Sequence, residues 1–388
     1  MNKSKQRKQS TAKSRNQCIE LYLREFYGFR FNTIKCRTEY RRLTENEFKP
    51  VTRFVINSIR RELDQNGISS SFDNLRAILD SDFAPPVNPV QEYFRTLPKS
   101  TKQDMIKRLA ATVVVCTPDR WEEYLTKWLT GVVANALSDA GCQNHVCLVL
   151  TGSQGKFKTT WLDLLCPPLL KKYLFTGKID PQSKDVLTLI AECLFINIDD
   201  QLKALNKRNE NELKNLITAP FVKYRRPYDV FIEDYPHLAS FMASVNGNDF
   251  LTDPTGSRRF LPFEVQSIAI DDARKINMDD IYAEAMYLLN SGFQYWFNDA
   301  EIEELHKHSS PFQVQSVEYE MLLQFFKKPS VKKDAFMTSS QITSYLQSKT
   351  QLNLSGKRIG EALHKLGFER KTKRIASHPV YGWIIEEI

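Results

Sequence analysis

The sequence predicts an α/β fold in which several buried strands end in polar residues at one edge of a sheet. Three apolar runs of strand length indicate this fold, at residues 146–150, 194–198 and 238–245. Each run is followed at once by residues suited to phosphate or metal chemistry, and parallel strands bring such residues to a common edge. Helical patterns before and after these runs add an N-terminal, mainly helical region and a C-terminal domain.

Composition limits the class of protein. The 388 residues suffice for two or three domains, and 42% hydrophobic with 26% charged residues is typical of a soluble globular protein. No apolar run could span a bilayer and the first 16 residues are polar and basic, so we expect a cytoplasmic protein without a membrane partner. The seven cysteines form no Cys-x-x-Cys pair, which favours reduced thiols over a zinc site or disulfides.

Four segments are predicted along the chain, at residues 1–16, 17–144, 145–308 and 309–388. The first is a basic, disordered tail, which either keeps the protein soluble or contacts nucleic acid. The second is mainly helical, with a short extended element near residues 31–40. Its predicted helices cover residues 18–27, 54–63, 72–79, 90–97, 104–115 and 121–137.

The segment after the first apolar run is the most informative part of the chain. Gly152-Ser-Gln-Gly155-Lys-Phe-Lys158-Thr159 has the spacing of a P-loop, with Phe157 at the position of the second glycine. Lys158, followed by Thr159, fits the phosphate lysine, whereas Lys156 is followed by Phe157. Lys158 is expected to neutralise phosphate charge of ATP and Thr159 to bind Mg²⁺. The predicted nucleotide-binding residues are Gly152, Ser153, Gln154, Gly155, Lys156, Phe157, Lys158, Thr159 and Thr160. An ordinary strand–turn–helix with a surface lysine is the alternative.

The other two runs end in candidate catalytic residues. Asp199 and Asp200 follow the second run, and carboxylates at a strand tip suit the Mg²⁺ and water-activating side of an ATP site. We expect Asp199 to hold Mg²⁺ and Asp200 to orient or deprotonate the attacking water. Asn246 follows the third run and is expected to hold that water against the γ-phosphate.

Two cationic segments flank the third run. Lys223, Arg225 and Arg226, among aromatic residues, predict a hairpin that binds single-stranded DNA, although pairing with nearby Glu233 and Asp234 is an alternative. Adjacent arginines, Arg258 and Arg259, lead into an apolar strand. One of them is expected to reach the γ-phosphate bound by a neighbouring subunit, and the other to serve folding or the site of its own chain.

The last segment predicts a winged-helix DNA-binding domain. Residues 339–348 and 355–366 are helical in pattern, and a basic ribbon and a return strand follow them. The second helix, with Lys357 and Arg358, is expected to enter a major groove. The ribbon adds the DNA-binding candidates Lys371, Lys373 and Arg374. A wing for protein interaction is the alternative.

Together these segments resemble the virulence-associated E (VapE) family of P-loop ATPases, which is related to superfamily III helicases of phages and mobile elements. The resemblance covers the P-loop, residues 198–200, 218–228 and 246–260, an upstream stretch at 88–94 and the winged-helix stretch. It departs from the pattern at Phe157 and at Asp200, where related sites commonly have Glu. It implies an AAA+-like P-loop NTPase core that uses ATP and Mg²⁺. It also implies a DNA-translocating homo-oligomer, hexameric by analogy, with host replication proteins as further candidate partners.

These segments and the resemblance are compatible with three functions. The leading one is an ATP-dependent DNA helicase or replication initiator of a mobile genetic element, acting on single-stranded or origin duplex DNA. The second is a nucleotide-regulated DNA-binding switch with little turnover, which Phe157 favours. The third is a non-enzymatic effector that retains only the fold, and the paired aspartates and arginines argue against it.

Overall fold

The computed structural model describes residues 14–98, 104–226, 230–252, 257–329, 335–375 and 378–388. Most of the predicted basic tail, and parts of the hairpin and of the segment before Arg258, lie outside these residues. Contacts divide the chain into two compact units, Met1–Asn246 with Gly256–His308 and Gly247–Thr255 with Ser309–Ile388. The second unit thus includes a short segment that the sequence assigned to the α/β core. No helix in the described ranges is both long enough and apolar enough to cross a membrane.

The first part of the chain combines helices with a small sheet of order β3-β2-β1-β4. Helix α1 begins with a capping box between Ser14 and Gln17. The region predicted as mainly helical therefore also contains strands, and the helix predicted over 104–115 ends early and gives way to β5. The elements are α1 (Arg15–Phe26), β1 (Tyr27–Asn32), β2 (Arg37–Arg42), β3 (Lys49–Pro50), α2 (Arg53–Gln65), α3 (Phe72–Leu79), β4 (Pro86–Val87), α4 (Pro89–Thr96), α5 (Met105–Ala110), β5 (Val113–Val115) and α6 (Trp121–Leu137).

The α/β core follows, around a six-stranded sheet of order β5-β12-β6-β11-β8-β7. Strand β5 is antiparallel to β12, and the other neighbours are parallel. The elements are β6 (Cys147–Thr151), α7 (Lys158–Leu164), β7 (Leu174–Gly177), α8 (Lys184–Glu192), β8 (Phe195–Asp199), α9 (Lys207–Thr218), β9 (Phe221–Tyr224), β10 (Glu233–Pro236), β11 (Ser240–Ser244), β12 (Phe260–Ile268), α10 (Ile270–Lys275), α11 (Met278–Asn290) and α12 (Asp299–Ser309).

Burial explains why these strands are nearly continuous apolar runs. Every residue of β6 and of β11 is buried, as expected for parallel strands covered on both faces. Helix α6 contributes Trp128, Leu129 and Val132 to the same core. Because β11 lies between β6 and β8, the carboxyl ends of the three strands are adjacent, and their polar successors meet there.

The second unit is built from short helices and a hairpin. Its core includes Leu322, Ile342, Leu346, Ile359 and Trp383. Strand β16 pairs with both β14 and β15, antiparallel in each case. The elements are α13 (Val317–Phe325), β13 (Phe326–Lys327), β14 (Phe336–Met337), α14 (Ser339–Ser348), α15 (Gly356–Lys365), β15 (Glu369–Ile375), β16 (His378–Ile384) and β17 (Glu386–Glu387).

Candidate active site

The loop between β6 and α7 depends on unusual backbone conformations. Gly152 and Gly155 have φ of 126° and 83°, and Phe157 has φ 58° in the left-handed region. A Cβ on Gly152 would lie 3.0 Å from the carbonyl oxygen of Val265 in β12, so only glycine fits there. The Lys156 ammonium donates to the same carbonyl at 2.9 Å. The loop therefore lies directly against β12, and the Lys156 hydrogen bond holds it there.

Lys158 is the first residue of α7, its side chain reaches back into this loop, and it is only 5% exposed. Its Nζ donates to the carbonyl oxygens of Gly152 at 3.0 Å and Ser153 at 2.7 Å, and to Oδ1 of Asn246 at 3.3 Å. Burial lowers the pKa of Lys158, and the nearby Asp200 carboxylate opposes that effect. A cation surrounded by oxygen acceptors, behind an exposed loop tip at residues 153–155, is suited to bind an anion that reaches the loop.

Next to the lysine, three side-chain oxygens from three elements form a compact cluster. Thr159 Oγ1 donates to Asp199 Oδ1 at 2.8 Å, and Ser244 Oγ donates to the same carboxylate oxygen at 2.9 Å. The two hydroxyl oxygens are 3.0 Å apart. Ser244 was not predicted, although its position at the end of an apolar run, two residues before Asn246, was a usable signal.

This cluster fits Mg²⁺ better than a metal that needs several protein ligands. Within the described ranges, no group of three or more His, Cys, Asp or Glu side chains is placed to hold a metal ion. Mg²⁺ commonly uses one or two carboxylates together with water and phosphate oxygens, all of them hard oxygen ligands. One carboxylate with two hydroxyls matches that pattern, so Asp199, Thr159 and Ser244 could hold the ion.

Asp200 is fixed by Asn246. The Asn246 backbone N–H donates to Asp200 Oδ1 at 3.0 Å, and its Nδ2 donates to Oδ2 at 2.7 Å. Asp200 has φ 45°, and its own N–H donates to the Ser244 carbonyl at 3.0 Å. Since Asn246 also accepts from Lys158, it connects the lysine to the carboxylate. The structure thus brings together Lys158, Thr159, Asp199, Asp200 and Asn246, as the three strand tips predict.

A buried asparagine in β8 supports the helix that carries Thr159. Asn197 is fully buried, and its Nδ2 donates to the Thr159 carbonyl at 3.3 Å and to Asp163 Oδ1 at 2.8 Å. Sequence reasoning missed this residue. The available signal was a single polar side chain within an otherwise apolar strand, which is normally hydrogen-bonded when buried.

Comparison with known proteins places the chain in a family. Residues 95–314, more than half of the chain, match the virulence-associated protein E-like domain. The chain belongs to that family. It is also similar in fold to the apo structure of the NrS-1 C-terminal region (305–718), with TM-score 0.53, 10% identity, and coverage of 97% of this chain and 100% of that one. An A-form apo structure of the NrS-1 C-terminal region gives TM-score 0.50 at 10% identity, with the same coverage. No curated protein sequence matches the chain.

In this VapE-like domain the paired arginines lie away from the loop. Phe260, the first residue of β12, pairs with Cys147, the first residue of β6, whereas the loop follows the last residue of β6. Arg258 and Arg259 precede Phe260, so they lie at the amino edge of the sheet. The length of β6 separates the two edges by roughly 17 Å, at about 3.3 Å per residue. The second arginine was expected to serve folding or the site of its own chain, and this separation argues against the second alternative.

One DNA-binding candidate of the VapE-like domain is a structural residue. Arg226 is buried, and its Nη2 donates to the Ile34 carbonyl at 2.9 Å while its guanidinium lies 4.3 Å from the centre of the Tyr235 ring. The prediction that it binds DNA is corrected, because these contacts occupy it inside the protein. Lys223 is exposed and pairs with Asp234 at 3.4 Å, and Arg225 is exposed. Those two remain on the surface of the β9–β10 hairpin.

The other cationic candidates lie in the second unit, after the residues that match the family. All of them are at the surface. Lys357 and Arg358 are exposed in the first turn of α15. Lys371, Lys373 and Arg374 are exposed on β15, and Lys371 pairs with Glu369 at 3.4 Å. This arrangement leaves a basic helix start and a basic strand on the same unit.

Proposed function

We propose that this protein is an ATP-dependent DNA helicase or replication initiator of a mobile genetic element, working as a ring of copies. The observation that carries the proposal is the convergence of a buried lysine, a hydroxyl–carboxylate cluster and an Asp–Asn pair at one edge of a parallel sheet. Membership of the virulence-associated protein E-like family supports a role in replication of a mobile element.

Each group at this edge has a role in phosphoryl transfer. Lys158 would bind the β- and γ-phosphates of ATP, since phosphate oxygens can replace the carbonyl oxygens that it now contacts. Thr159, Asp199 and Ser244 would hold Mg²⁺, which when bound neutralises charge on the phosphates. Asp200, oriented by two hydrogen bonds from Asn246, would orient or deprotonate the attacking water.

The arginines support hydrolysis at a site shared between copies. Arg258 and Arg259 lie at the opposite edge of the sheet from Lys158. They could contact ATP only if another copy brings its loop to them, which would make the site intersubunit. A head-to-tail contact of this kind closes into a ring when the rotation between neighbouring copies divides a full turn into a whole number of steps. The proposed ring is a hexamer.

Two cationic surfaces would engage DNA. Lys223 and Arg225 on the β9–β10 hairpin are candidates for a single strand. In the second unit, α14, α15 and the β15–β16 hairpin form a helix–helix–hairpin sequence, which supports a winged-helix domain with Lys357 and Arg358 directed to duplex DNA. These contacts would position the protein on an origin or on a strand.

A nucleotide-regulated DNA-binding switch is the second candidate, and Phe157 favours it. A non-glycine residue in the left-handed region costs about 1–2 kcal/mol. Phe157 has φ 58°, and its bulky side chain stands at the loop where phosphates would bind. Both features would weaken nucleotide binding and slow turnover. Sustained ATP hydrolysis that is stimulated by single-stranded DNA would exclude a switch of this kind.

The first experiment tests the site. Lys158→Ala should abolish ATP hydrolysis while the far-UV and near-UV circular dichroism remain those of the wild type, because it removes the cation placed to contact the phosphates. Lys184→Ala, an exposed lysine at the start of α8, is the matched control and should hydrolyse ATP normally. Near-normal turnover by Lys158→Ala would refute the site assignment.

A mixing experiment tests the shared site. A variant with Arg258→Ala and Arg259→Ala should bind ATP without hydrolysing it. Mixed with Lys158→Ala, it should recover part of the activity, because an interface between the two variants joins an intact loop to intact arginines. If the variants co-assemble and the mixture stays inactive, hydrolysis across an interface is ruled out.

A further inference from the structure

The part of the chain before the α/β core contains an open cleft with three arginines. The cleft is lined by β1, β2 and the first turns of α2 and α3, and its volume is about 830 Å³. Its arginines are Arg37 on β2, Arg53 on α2 and Arg76 on α3. Because both helices begin at the cleft, the partial positive charge of their N-termini adds to that of the side chains. Positive charge is therefore concentrated here, apart from the ATP site and the hairpin.

Two carboxylates also line the cleft, but neither neutralises Arg37 or Arg53. Asp80 pairs with Arg76 at 3.2 Å. Asp73 lies in the first turn of α3, where the helix N-terminus offsets its charge. Arg37 and Arg53 are exposed, and neither forms an ion pair with a residue that the structure describes. Two guanidinium groups are thus open to an anion from outside.

An exposed aromatic side chain stands beside these guanidinium groups. Phe54 follows Arg53 in the first turn of α2. It is 80% exposed, more than any other large apolar side chain in the described ranges. The Arg53 guanidinium lies 5.8 Å from the centre of the Phe72 ring, a contact that keeps it at this end of the cleft. Cations next to a ring on which a base can stack are the composition of a site for single-stranded nucleic acid.

The basic tail starts close to the same cleft. Asn74 Nδ2 in α3 donates to Asn16 Oδ1 in α1 at 3.1 Å, so the first turns of the two helices are in contact. The described chain therefore begins, at Ser14, roughly one helix diameter or about 10 Å from the cleft. Residues 1–13 contain five lysines and arginines and no Asp or Glu, and thirteen residues can extend up to about 45 Å. Since tail and cleft carry the same charge, both are suited to one external polyanion and not to each other.

We propose that this cleft binds a single strand of DNA. Arg37 and Arg53 contact its phosphates, Phe54 stacks on a base, and the basic tail contacts the backbone beyond the cleft. A single strand is favoured over a duplex because its bases are free to stack on an exposed ring, whereas a duplex presents mainly phosphates. The site is additional to the β9–β10 hairpin and to the second unit, and it does not depend on ATP hydrolysis.

Two exposed cysteines allow a footprint of this site. Cys36 lines the cleft, whereas Cys116 follows β5 and does not line it. Oligodeoxythymidine should slow the reaction of Cys36 with N-ethylmaleimide, measured by mass spectrometry of the peptides, and leave the reaction of Cys116 unchanged. Equal reaction rates of Cys36 with and without the oligonucleotide would refute the site.

Substitution of the aromatic residue tests stacking. Phe54→Ala should weaken oligodeoxythymidine binding at least about fivefold, the scale of one lost stacking contact, and Phe54→Trp should keep the affinity. Leu169→Ala is the matched control, because it removes an apolar side chain that is 76% exposed and does not line the cleft. Fluorescence anisotropy measures the affinities, in the wild type and in a Lys223→Ala, Arg225→Ala background that removes the contribution of the hairpin.

Salt dependence tests the phosphate contacts. Arg37→Ala with Arg53→Ala should reduce the slope of log affinity against log salt by about 1.4, since each contact with a single strand contributes about 0.7. Deletion of residues 1–13 should reduce it by up to about 3.5, for five cations. Arg61→Ala with Arg95→Ala removes the same charge from exposed positions on α2 and α4, and it should leave the slope unchanged.

Three results would overturn the inference. The first is wild-type affinity of Phe54→Ala for oligodeoxythymidine. The second is an equal loss of affinity for duplex DNA in that variant, which would exclude stacking on an unpaired base. The third is protection of Cys36 by thymidine monophosphate or polyglutamate as strong as that by the oligonucleotide, which would make a free nucleotide or an acidic protein segment the occupant. If instead the footprint and the Phe54 effect are found and the wild type hydrolyses no ATP, the cleft stands and the proposed function fails.

Discussion

Gly152→Ala tests whether the loop depends on a close approach to β12. The added Cβ would lie 3.0 Å from the Val265 carbonyl oxygen, which is backbone and cannot rotate away. Moving β12 to relieve the contact should cost about 1–3 kcal/mol, the usual range for overpacking. Holding alanine at φ 126° adds about 1–3 kcal/mol of backbone strain. Alanine also restricts the unfolded chain more than glycine does. Less conformational entropy is then lost on folding, which stabilises the variant by about 0.4–1 kcal/mol. The three contributions together give an expected destabilisation of about 1–5.5 kcal/mol.

The same loop provides a matched control. Gly155 has φ 83°, but a Cβ there would meet no atom within 4 Å, so Gly155→Ala carries only the backbone cost. Guanidinium unfolding followed by tryptophan fluorescence gives the free energy of unfolding for both variants. Gly152→Ala should be the less stable by about 1–3 kcal/mol, the steric part alone. If the two variants differ by less than about 0.5 kcal/mol, the close approach does not constrain the loop.

Three further predictions concern the site, the second unit and pH. Asp200→Asn should bind ATP but turn it over about a hundredfold more slowly, as on loss of a catalytic base, whereas Asp199→Asn should raise the Mg²⁺ concentration needed for activity. Lys357→Ala with Arg358→Ala should weaken duplex DNA binding and reduce the slope of log affinity against log salt by about 1.8. Burial lowers the pKa of His237 from 6.5 to about 4, so the unfolded chain binds its proton first as pH falls. This proton binding should lower the free energy of unfolding by up to about 3 kcal/mol from pH 7 to pH 4. His237→Gln should remove this contribution to the pH dependence of stability.

Each of these has an outcome that contradicts it. Loss of ATP binding in Asp200→Asn, together with loss of turnover alone in Asp199→Asn, would reverse the two roles. An unchanged salt slope in the double variant would remove α15 from the DNA contact. Lys184→Ala with Lys307→Ala, both exposed in the first unit, is the charge-matched control. A pH slope that is the same in His237→Gln and the wild type would assign the acid sensitivity to other groups.

Much of the α/β core could be predicted because its signals are local. Parallel strands buried on both faces must be apolar, so β6, β8 and β11 appear as runs in the sequence. Their carboxyl ends meet at one edge by topology, which makes Lys158, Asp199 and Asn246 recognisable from the sequence as one site. The spacing of Lys158 and Thr159 from Gly152 likewise belongs to one short segment.

The remaining features depend on contacts between distant segments, which local patterns do not record. Arg226 looked like its neighbour Arg225, and only its contact with Ile34, 192 residues away in sequence, shows that it is buried structure. The hydroxyl of Ser244 and the amide of Asn197 joined the site through packing of β11 and β8 against α7. The sequence by itself determined where the buried strands end. Strands buried on both faces need apolar residues, so the first polar residue after each apolar run marks the end of the strand. Only the tertiary structure decided which polar side chains are hydrogen-bonded inside the protein and which face solvent, because that depends on the segments that pack beside them.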